Sequence, residues 1–152
     1  TGDVEGTLPD KNFSSGERHA FLALIDFLVV SVPLTPATRG QIGEFELRKL
    51  KPSAVVINPA RAHIIDENAF LRGLAEQWFR GASLDVHYAY PLPSQHPLWG
   101  MPNVILTPHI SGNSGNPHFL VRMLEIFCLN LERFRSGIPL LNELTAAQLG
   151  GK

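Results

Sequence analysis

The 152-residue sequence has little of several features that mark particular classes of protein. It contains a single cysteine, Cys128, so no disulfide can form within the chain, and a reducing compartment is the simpler expectation. Basic and acidic residues nearly cancel to a net charge of −1, which argues against a broad surface for nucleic acid or anionic lipid. The composition therefore favours a cytoplasmic protein with neither a nucleic-acid nor a membrane partner.

Long hydrophobic runs are also absent. No stretch approaches the roughly 18 unbroken apolar residues that a membrane helix requires. The longest candidate, residues 21–33, is interrupted by Asp26 and closed by Pro33. The first ten residues lack the basic and apolar regions of a signal peptide. No two histidines have the i, i+4 spacing of a zinc site, so no bound metal is expected.

The chain does contain an alternation of short apolar runs with amphipathic segments. Four apolar runs predict buried strands, at residues 27–32, 54–57, 82–86 and 104–106. Apolar residues at helical spacing predict helices at residues 17–24, 43–50, 66–80 and 117–135. This alternation is typical of right-handed βαβ units and predicts an α/β fold, an open parallel Rossmann-like sheet with flanking helices.

The same pattern divides the chain into three parts. We expect residues 1–25 to be an irregular lead-in with a short helix, residues 26–135 to be the α/β domain and residues 136–152 to be a tail. We expect the strand at 27–32 to be covered on both faces and Trp78 to pack from the face of the helix at 66–80. We expect Cys128 to be buried in the last helix. We expect His87 to be a partly exposed loop residue, although its position two residues past Asp85 would also let it line the site.

Ligands of such sheets bind at the carboxyl ends of the strands. Arg61 follows the second strand, Asp85 ends the third and His109 follows the fourth. An arginine can hold a carboxylate through two parallel hydrogen bonds, and a histidine can exchange a proton near neutral pH. Together they suit a small 2-oxo or 2-hydroxy acid, while Asp85 would accept from a cofactor amide or hydroxyl. Taken singly, Arg61 also fits a surface ion pair, Asp85 a turn cap and His109 a hydrogen-bonded loop histidine.

Four ordered segments carry a family resemblance. They read DFLVVSVPLTPAT at 26–38, NPAR at 58–61, LDV at 84–86 and TPH at 107–109. In order and separation, over about residues 26–141, they resemble the NAD-binding domain of D-isomer-specific 2-hydroxyacid dehydrogenases. The resemblance implies that residues 26–135 are a partial dinucleotide-binding domain. The resemblance implies an oxidoreductase that transfers a hydride between NAD or NADP and a small D-2-hydroxy acid or 2-oxo acid, and a homodimer.

The resemblance also implies a role for each matching residue. Arg61 would bind the substrate carboxylate and orient the nicotinamide, and His109 would be the catalytic acid/base. Asp85 would contact the nicotinamide carboxamide or the nearby ribose. The remaining cofactor contacts would come from Val32, Pro33, Pro59, Ala60, Ser111 and Gly112.

Tyr90 departs from the family pattern. Most of the family places a glutamate just before the proline that is Pro91 here, and that glutamate hydrogen-bonds the catalytic histidine. A phenol can orient an imidazole, but it offers no charge to stabilise the protonated form. If Tyr90 takes part in catalysis beside His109, a different substrate, altered pH dependence and weakened catalysis all stay open. The alternative is that Tyr90 packs against its own loop.

A second departure concerns the phosphate site. The family binds pyrophosphate with a Gly-x-Gly-x-x-Gly turn at a helix N-terminus, and no such spacing occurs among the 13 glycines. We therefore expect most of the first βαβ half to be missing and the chain to be the carboxyl-terminal part of a longer enzyme, inactive alone. The strand at 27–32 would then present an exposed apolar edge. The choice between NAD and NADP stays open because the residue that reads the ribose follows that turn.

A second function class fits the same residues. The chain could be a non-catalytic nucleotide-sensing or protein-interaction module of the same superfamily. Retention of both Arg61 and His109 favours the enzyme, whereas Tyr90 slightly favours the module.

Overall fold

The computed structural model of the chain describes residues 7–112 and 117–143. Its strands are β1 (Phe27–Val29), β2 (Val55–Asn58), β3 (Gly81–Leu84) and β4 (Val104–Leu106). Its α-helices are α1 (Arg18–Leu22), α2 (Glu44–Leu47), α3 (Glu67–Ala75) and α4 (Pro117–Arg135). All the strand pairs are parallel, in the order β1-β2-β3-β4. The predicted parallel α/β sheet is confirmed.

The core lies where α2 and α3 pack beside the sheet. Val56 of β2 and Leu47 of α2 are fully buried, and the rings of Phe70 and Phe79 stack with centroids 5.7 Å apart. Gly81 begins β3 where the carbonyl of Asn103 comes so close that an added Cβ would lie 2.3 Å from its oxygen. Only glycine fits this approach, which sets β3 directly against the β4 side of the sheet.

Helix α3 is shorter than the predicted 66–80. The Asp66 carboxylate caps its start by accepting from the Ala69 N–H at 2.8 Å, as expected for an aspartate at this position. The helix ends at Ala75, and Gln77, with a φ of 57°, turns the chain back. Trp78 therefore lies beyond the helix and not on its face as predicted. It does pack against the core, and its ring lies 3.0 Å from the position that a Cβ added to Gly73 would take.

Strand β1 is an edge of the sheet that the structure describes. Leu28 points into the core, whereas Phe27 and Val29 are 63% and 55% exposed. The prediction that this strand is covered on both faces is therefore wrong. The expected exposed apolar edge is present because β1 pairs with β2 alone within the described residues.

Helix α4 has the predicted bounds but not the predicted burial. Most of its apolar residues, including Phe127, are exposed, and so is Cys128, which was expected to be buried. The segment after the helix folds back on it: the Asn130 side chain bonds both backbone groups of Leu141, and Arg133 donates to the Pro139 carbonyl at 2.6 Å. The predicted lead-in and tail extend beyond the described residues at both ends. Among the described helices, none is long and apolar enough to cross a membrane.

Candidate active site

Asp85 ties the ends of β3 and β4 together. Its side chain is 6% exposed and accepts four hydrogen bonds from the segment that follows β4. One oxygen accepts from the Thr107 hydroxyl at 2.6 Å and the Ile110 N–H at 2.9 Å. The other accepts from the N–H and hydroxyl of Ser111 at 2.8 and 2.6 Å. Burial raises the pKa of Asp85, but these hydrogen bonds outweigh it and hold the pKa well below its usual value.

This arrangement bears on the predicted cofactor contact of Asp85. A carboxylate offers about four lone-pair sites, and all of them face donors of the β4 segment here. An amide of the cofactor would have to displace one of these donors, from Thr107, Ile110 or Ser111. The cofactor roles of Asp85 and Ser111 stay predictions, while their contact with each other is a feature of the fold.

Tyr90 contacts His109. The phenol oxygen lies 3.0 Å from His109 Nδ1, and it accepts a hydrogen bond from the backbone N–H of His87 at 3.0 Å. The two rings lie at an angle of 34° with centroids 5.5 Å apart. A hydroxyl can donate to an unprotonated Nδ1 or accept from a protonated one, so it can pair with both states of the imidazole. The alternative that Tyr90 packs only against its own loop does not hold.

His109 has a left-handed backbone, with a φ of 58°. Its N–H donates to the carbonyl of Thr107 at 3.0 Å, which closes a tight turn around Pro108. A residue with a Cβ in this conformation costs roughly 1–2 kcal/mol, and such residues cluster at functional sites. The turn leaves the His109 side chain exposed at the carboxyl edge of the sheet.

Arg61 is held by a buried asparagine at the end of β2. The Asn58 side chain accepts from the Ala60 N–H at 3.0 Å and donates to the Arg61 carbonyl at 3.1 Å. The guanidinium donates to the Ala60 carbonyl at 2.7 Å and is otherwise exposed. Within the described residues no carboxylate forms a salt bridge with Arg61, so the surface ion pair weighed above finds no support.

Two cavities open at this edge of the sheet. One, of about 400 Å³, is lined by Ser31, Val32, Pro33, Leu34, Ala60 and Arg61. The other, of about 380 Å³, is lined by His87, Tyr90, Pro91, Leu92, Trp99, Leu106, Thr107 and Pro108. The predicted residues thus gather in two groups, one around Arg61 and one around His109. Pro59 and Gly112 are exposed and line neither cavity.

Sequence reasoning missed Asn58 at this edge and misjudged the burial of His87. Asn58 was quoted only as part of the NPAR motif and was given no role. An asparagine that ends a strand before a proline is nevertheless a turn signal in its own right. His87 was expected to be partly exposed, but it is buried, with Nε2 3.0 Å from the Thr107 carbonyl oxygen. Within the described part of the chain, no group of three or more His, Cys, Asp or Glu side chains could hold a metal.

Comparison with known families identifies a similar domain. A family model described as the D-isomer specific 2-hydroxyacid dehydrogenase, NAD binding domain, matches residues 3–111. A glyoxylate reductase of Thermofilum pendens is 40% identical over 129 residues, which cover 85% of this chain and 37% of that protein.

Solved structures of such proteins resemble the chain in three dimensions. A D-isomer specific 2-hydroxyacid dehydrogenase of Xanthobacter autotrophicus in complex with NADPH is 35% identical, with a TM-score of 0.74 over 86% of this chain and 52% of that one. An NADPH-dependent glyoxylate/hydroxypyruvate reductase of Sinorhizobium meliloti in complex with NADP is 32% identical, with a TM-score of 0.74 over 92% of this chain and 44% of that one. The chain spans about half, or less, of the length of these relatives.

Proposed function

The chain belongs to the D-isomer specific 2-hydroxyacid dehydrogenase family, and we propose that it supplies the catalytic arginine and histidine of an enzyme that reduces a small 2-oxo acid. The reverse reaction would oxidise the matching D-2-hydroxy acid. The observation that carries the proposal is the placement of Arg61 and of a Tyr90-bound His109 at the carboxyl edge of one parallel sheet. Because several relatives are named glyoxylate or hydroxypyruvate reductases, small 2-oxo acids are the substrates to test first.

The described residues suit the nicotinamide end of NAD or NADP better than the pyrophosphate. Val32, Pro33 and Ala60 line a cavity together with Arg61, which provides an apolar wall beside a cation at the strand ends. The glycine-rich turn that receives a pyrophosphate is absent from the sequence. When bound, the reduced nicotinamide supplies the hydride, while the protein contributes orientation, charge and the proton.

Arg61 would bind the substrate carboxylate. Its guanidinium is exposed and has no carboxylate partner within the described residues, so the charge is available to an anion from outside the chain. Bidentate binding would fix the plane of a 2-oxo acid as well as its position.

His109 would supply the proton. The imidazolium donates from Nε2 to the carbonyl oxygen of the substrate while that carbonyl carbon receives the hydride, which gives a neutral hydroxyl. The other nitrogen, Nδ1, keeps its proton and donates to the Tyr90 oxygen, 3.0 Å away. Tyr90 would orient the ring through this bond but bring no negative charge to it.

Turnover can be tested in a grafted enzyme, the Thermofilum pendens glyoxylate reductase with its matching segment replaced by this chain. With NADH or NADPH and glyoxylate or hydroxypyruvate, we expect turnover, and Arg61→Ala should lower kcat/KM about 100-fold through the loss of two charge-assisted bonds. Arg61→Lys keeps the charge but not the fork and should lie between the two. Unchanged kcat/KM in Arg61→Ala would remove the arginine from the proposal.

The non-catalytic module is the second candidate, and the neutral Tyr90 is the observation that favours it. A module would bind NADH or NADPH in the grafted protein without turnover of any 2-oxo acid in the panel. Binding of NADH or NADPH without turnover would therefore contradict the enzyme proposal and support the sensing module. Homodimerisation stays a prediction from the family resemblance, and a cytoplasmic location stays a prediction from the composition.

A further inference from the structure

His87 is a buried histidine for which the proposed reaction has no use. It lies two residues beyond Asp85, and 9% of it is exposed. Its Nε2 lies 3.0 Å from the Thr107 carbonyl oxygen, and because a carbonyl can only accept, Nε2 carries the hydrogen. The neutral ring then has its lone pair on Nδ1, which is buried and has no hydrogen-bond partner within the described residues. The hydrogen bond to Thr107 therefore specifies the Nε2–H tautomer of His87, and burial restricts the movement of its ring.

His87 is linked to the backbone of His109 through one carbonyl group. The Thr107 oxygen that accepts from His87 Nε2–H also accepts from the His109 N–H at 3.0 Å. Both donors therefore converge on the carbonyl that begins the left-handed turn at His109. A fixed donor on this oxygen holds the peptide plane from which the turn departs.

His87 is linked to the ring of His109 by a second route. Its backbone N–H donates to the Tyr90 oxygen, which contacts His109 Nδ1. The Tyr90 ring also neighbours both imidazoles, with its centroid 5.6 Å from that of His87 and 5.5 Å from that of His109. Tyr90 is 59% exposed, so packing covers less than half of its surface. Of the three residues, His87 is the buried one, so it can fix the positions of Tyr90 and His109.

We propose that His87 is a positioning residue for His109. It holds the His109 backbone through the Thr107 carbonyl and the His109 ring through Tyr90. Asp85 supports the same segment independently through Thr107 and Ile110, but it reaches neither the Thr107 carbonyl nor the phenol. The catalytic consequence rests on the proposed function, whereas the geometry can be tested without any turnover.

The first test uses the 152-residue chain with ¹⁵N-labelled histidines. Long-range proton–nitrogen spectra report the tautomer of each ring, and the geometry requires His87 to carry its hydrogen on Nε2. A predominant Nδ1–H tautomer at His87 would overturn the proposal on the unmodified protein. This measurement stands even where a variant fails to fold.

The second test removes only the side-chain donor. His87→Phe keeps a ring and the backbone N–H but loses the bond to Thr107, and we expect the His109 amide and ring resonances to shift and broaden. His87→Gln offers an amide N–H near the position of Nε2 and should move these resonances back toward those of the unmodified chain. His96→Phe is the matched control, because it removes a half-buried histidine bonded to Glu67 instead, at 2.9 Å. Unchanged His109 resonances in His87→Phe would refute the positioning role.

The grafted enzyme separates failure of this proposal from failure of the proposed function. There, His87→Phe should lower kcat by on the order of tenfold, with a smaller change in KM, since misplacement of a reacting group lowers the rate of the chemical step. Shifted His109 resonances without turnover in the unmodified graft would refute the enzyme but leave the positioning role intact. Turnover with full kcat in His87→Phe would refute the positioning role alone.

Discussion

At the scale of single residues, the side chain that contacts His109 is the uncharged phenol of Tyr90. Tyr90→Glu would place a carboxylate against Nδ1 and stabilise the imidazolium. Because reduction of a 2-oxo acid needs the protonated ring, the pH–rate profile of the grafted enzyme should move about one pH unit or more upward. Tyr90→Phe removes the hydroxyl without adding charge and should lower the rate with no such upward movement. A profile that stays in place in Tyr90→Glu would mean that the phenol does not govern the protonation of His109.

Asp85 gives the fold a dependence on acid. Its pKa is lower in the folded chain than its ordinary value of 3.8, so the stabilisation is complete above that ordinary value and is lost as the pH falls toward the folded pKa. At neutral pH, Asp85→Asn should lower the free energy of unfolding by about 2 kcal/mol, because charged hydrogen bonds are lost. Urea unfolding at neutral pH and near pH 3 should show the difference between the two proteins shrinking in acid. If the difference in free energy of unfolding is the same at both pH values, the ionised Asp85 carboxylate does not stabilise the fold.

At the scale of elements, one tryptophan joins α2 to the end of α3. The Arg48 guanidinium stacks 3.7 Å above the Trp78 ring and pairs with Glu44, which also pairs with Arg72 of α3. Trp78→Ala should lower the free energy of unfolding by about 2 kcal/mol through lost apolar burial and cation–π contact. Trp99→Ala is the control, since that ring is 57% exposed, and its loss should be smaller in the same urea titration. If Trp78→Ala and Trp99→Ala lower the free energy of unfolding equally, the contacts of Trp78 with Arg48 contribute nothing beyond ordinary surface packing.

At the scale of the whole molecule, the described chain leaves apolar surface at both edges of the sheet and along α4. Phe27 and Val29 on β1, and Ile105 on β4, are exposed, and exposed edge strands favour pairing between chains. Val29→Lys should therefore reduce concentration-dependent association in sedimentation velocity without unfolding the protein. The neighbouring Leu28→Lys buries a charge in the core and should unfold it. If association is unchanged in Val29→Lys, the β1 edge is not its cause.

The sequence by itself determined the features that depend on local pattern. Period and run length located all four strands and the bounds of α4, and the parallel direction of these strands placed Arg61, Asp85 and His109 at one edge. These inferences held because each depends on a short window of sequence plus a general rule of connection. The missing glycine spacing was likewise visible in the sequence alone.

Only the tertiary structure decided the contacts between distant segments. Tyr90 meets His109 across 19 positions, and Asp85 meets Ser111 across 26. The burial of His87 and the exposure of Cys128 depend on which surface lies opposite, and an amphipathic pattern does not say whether a partner surface is present. Side-chain pairing is set by the register of neighbouring strands and the turns after them, so the partners of His109 emerge only once the sheet is assembled.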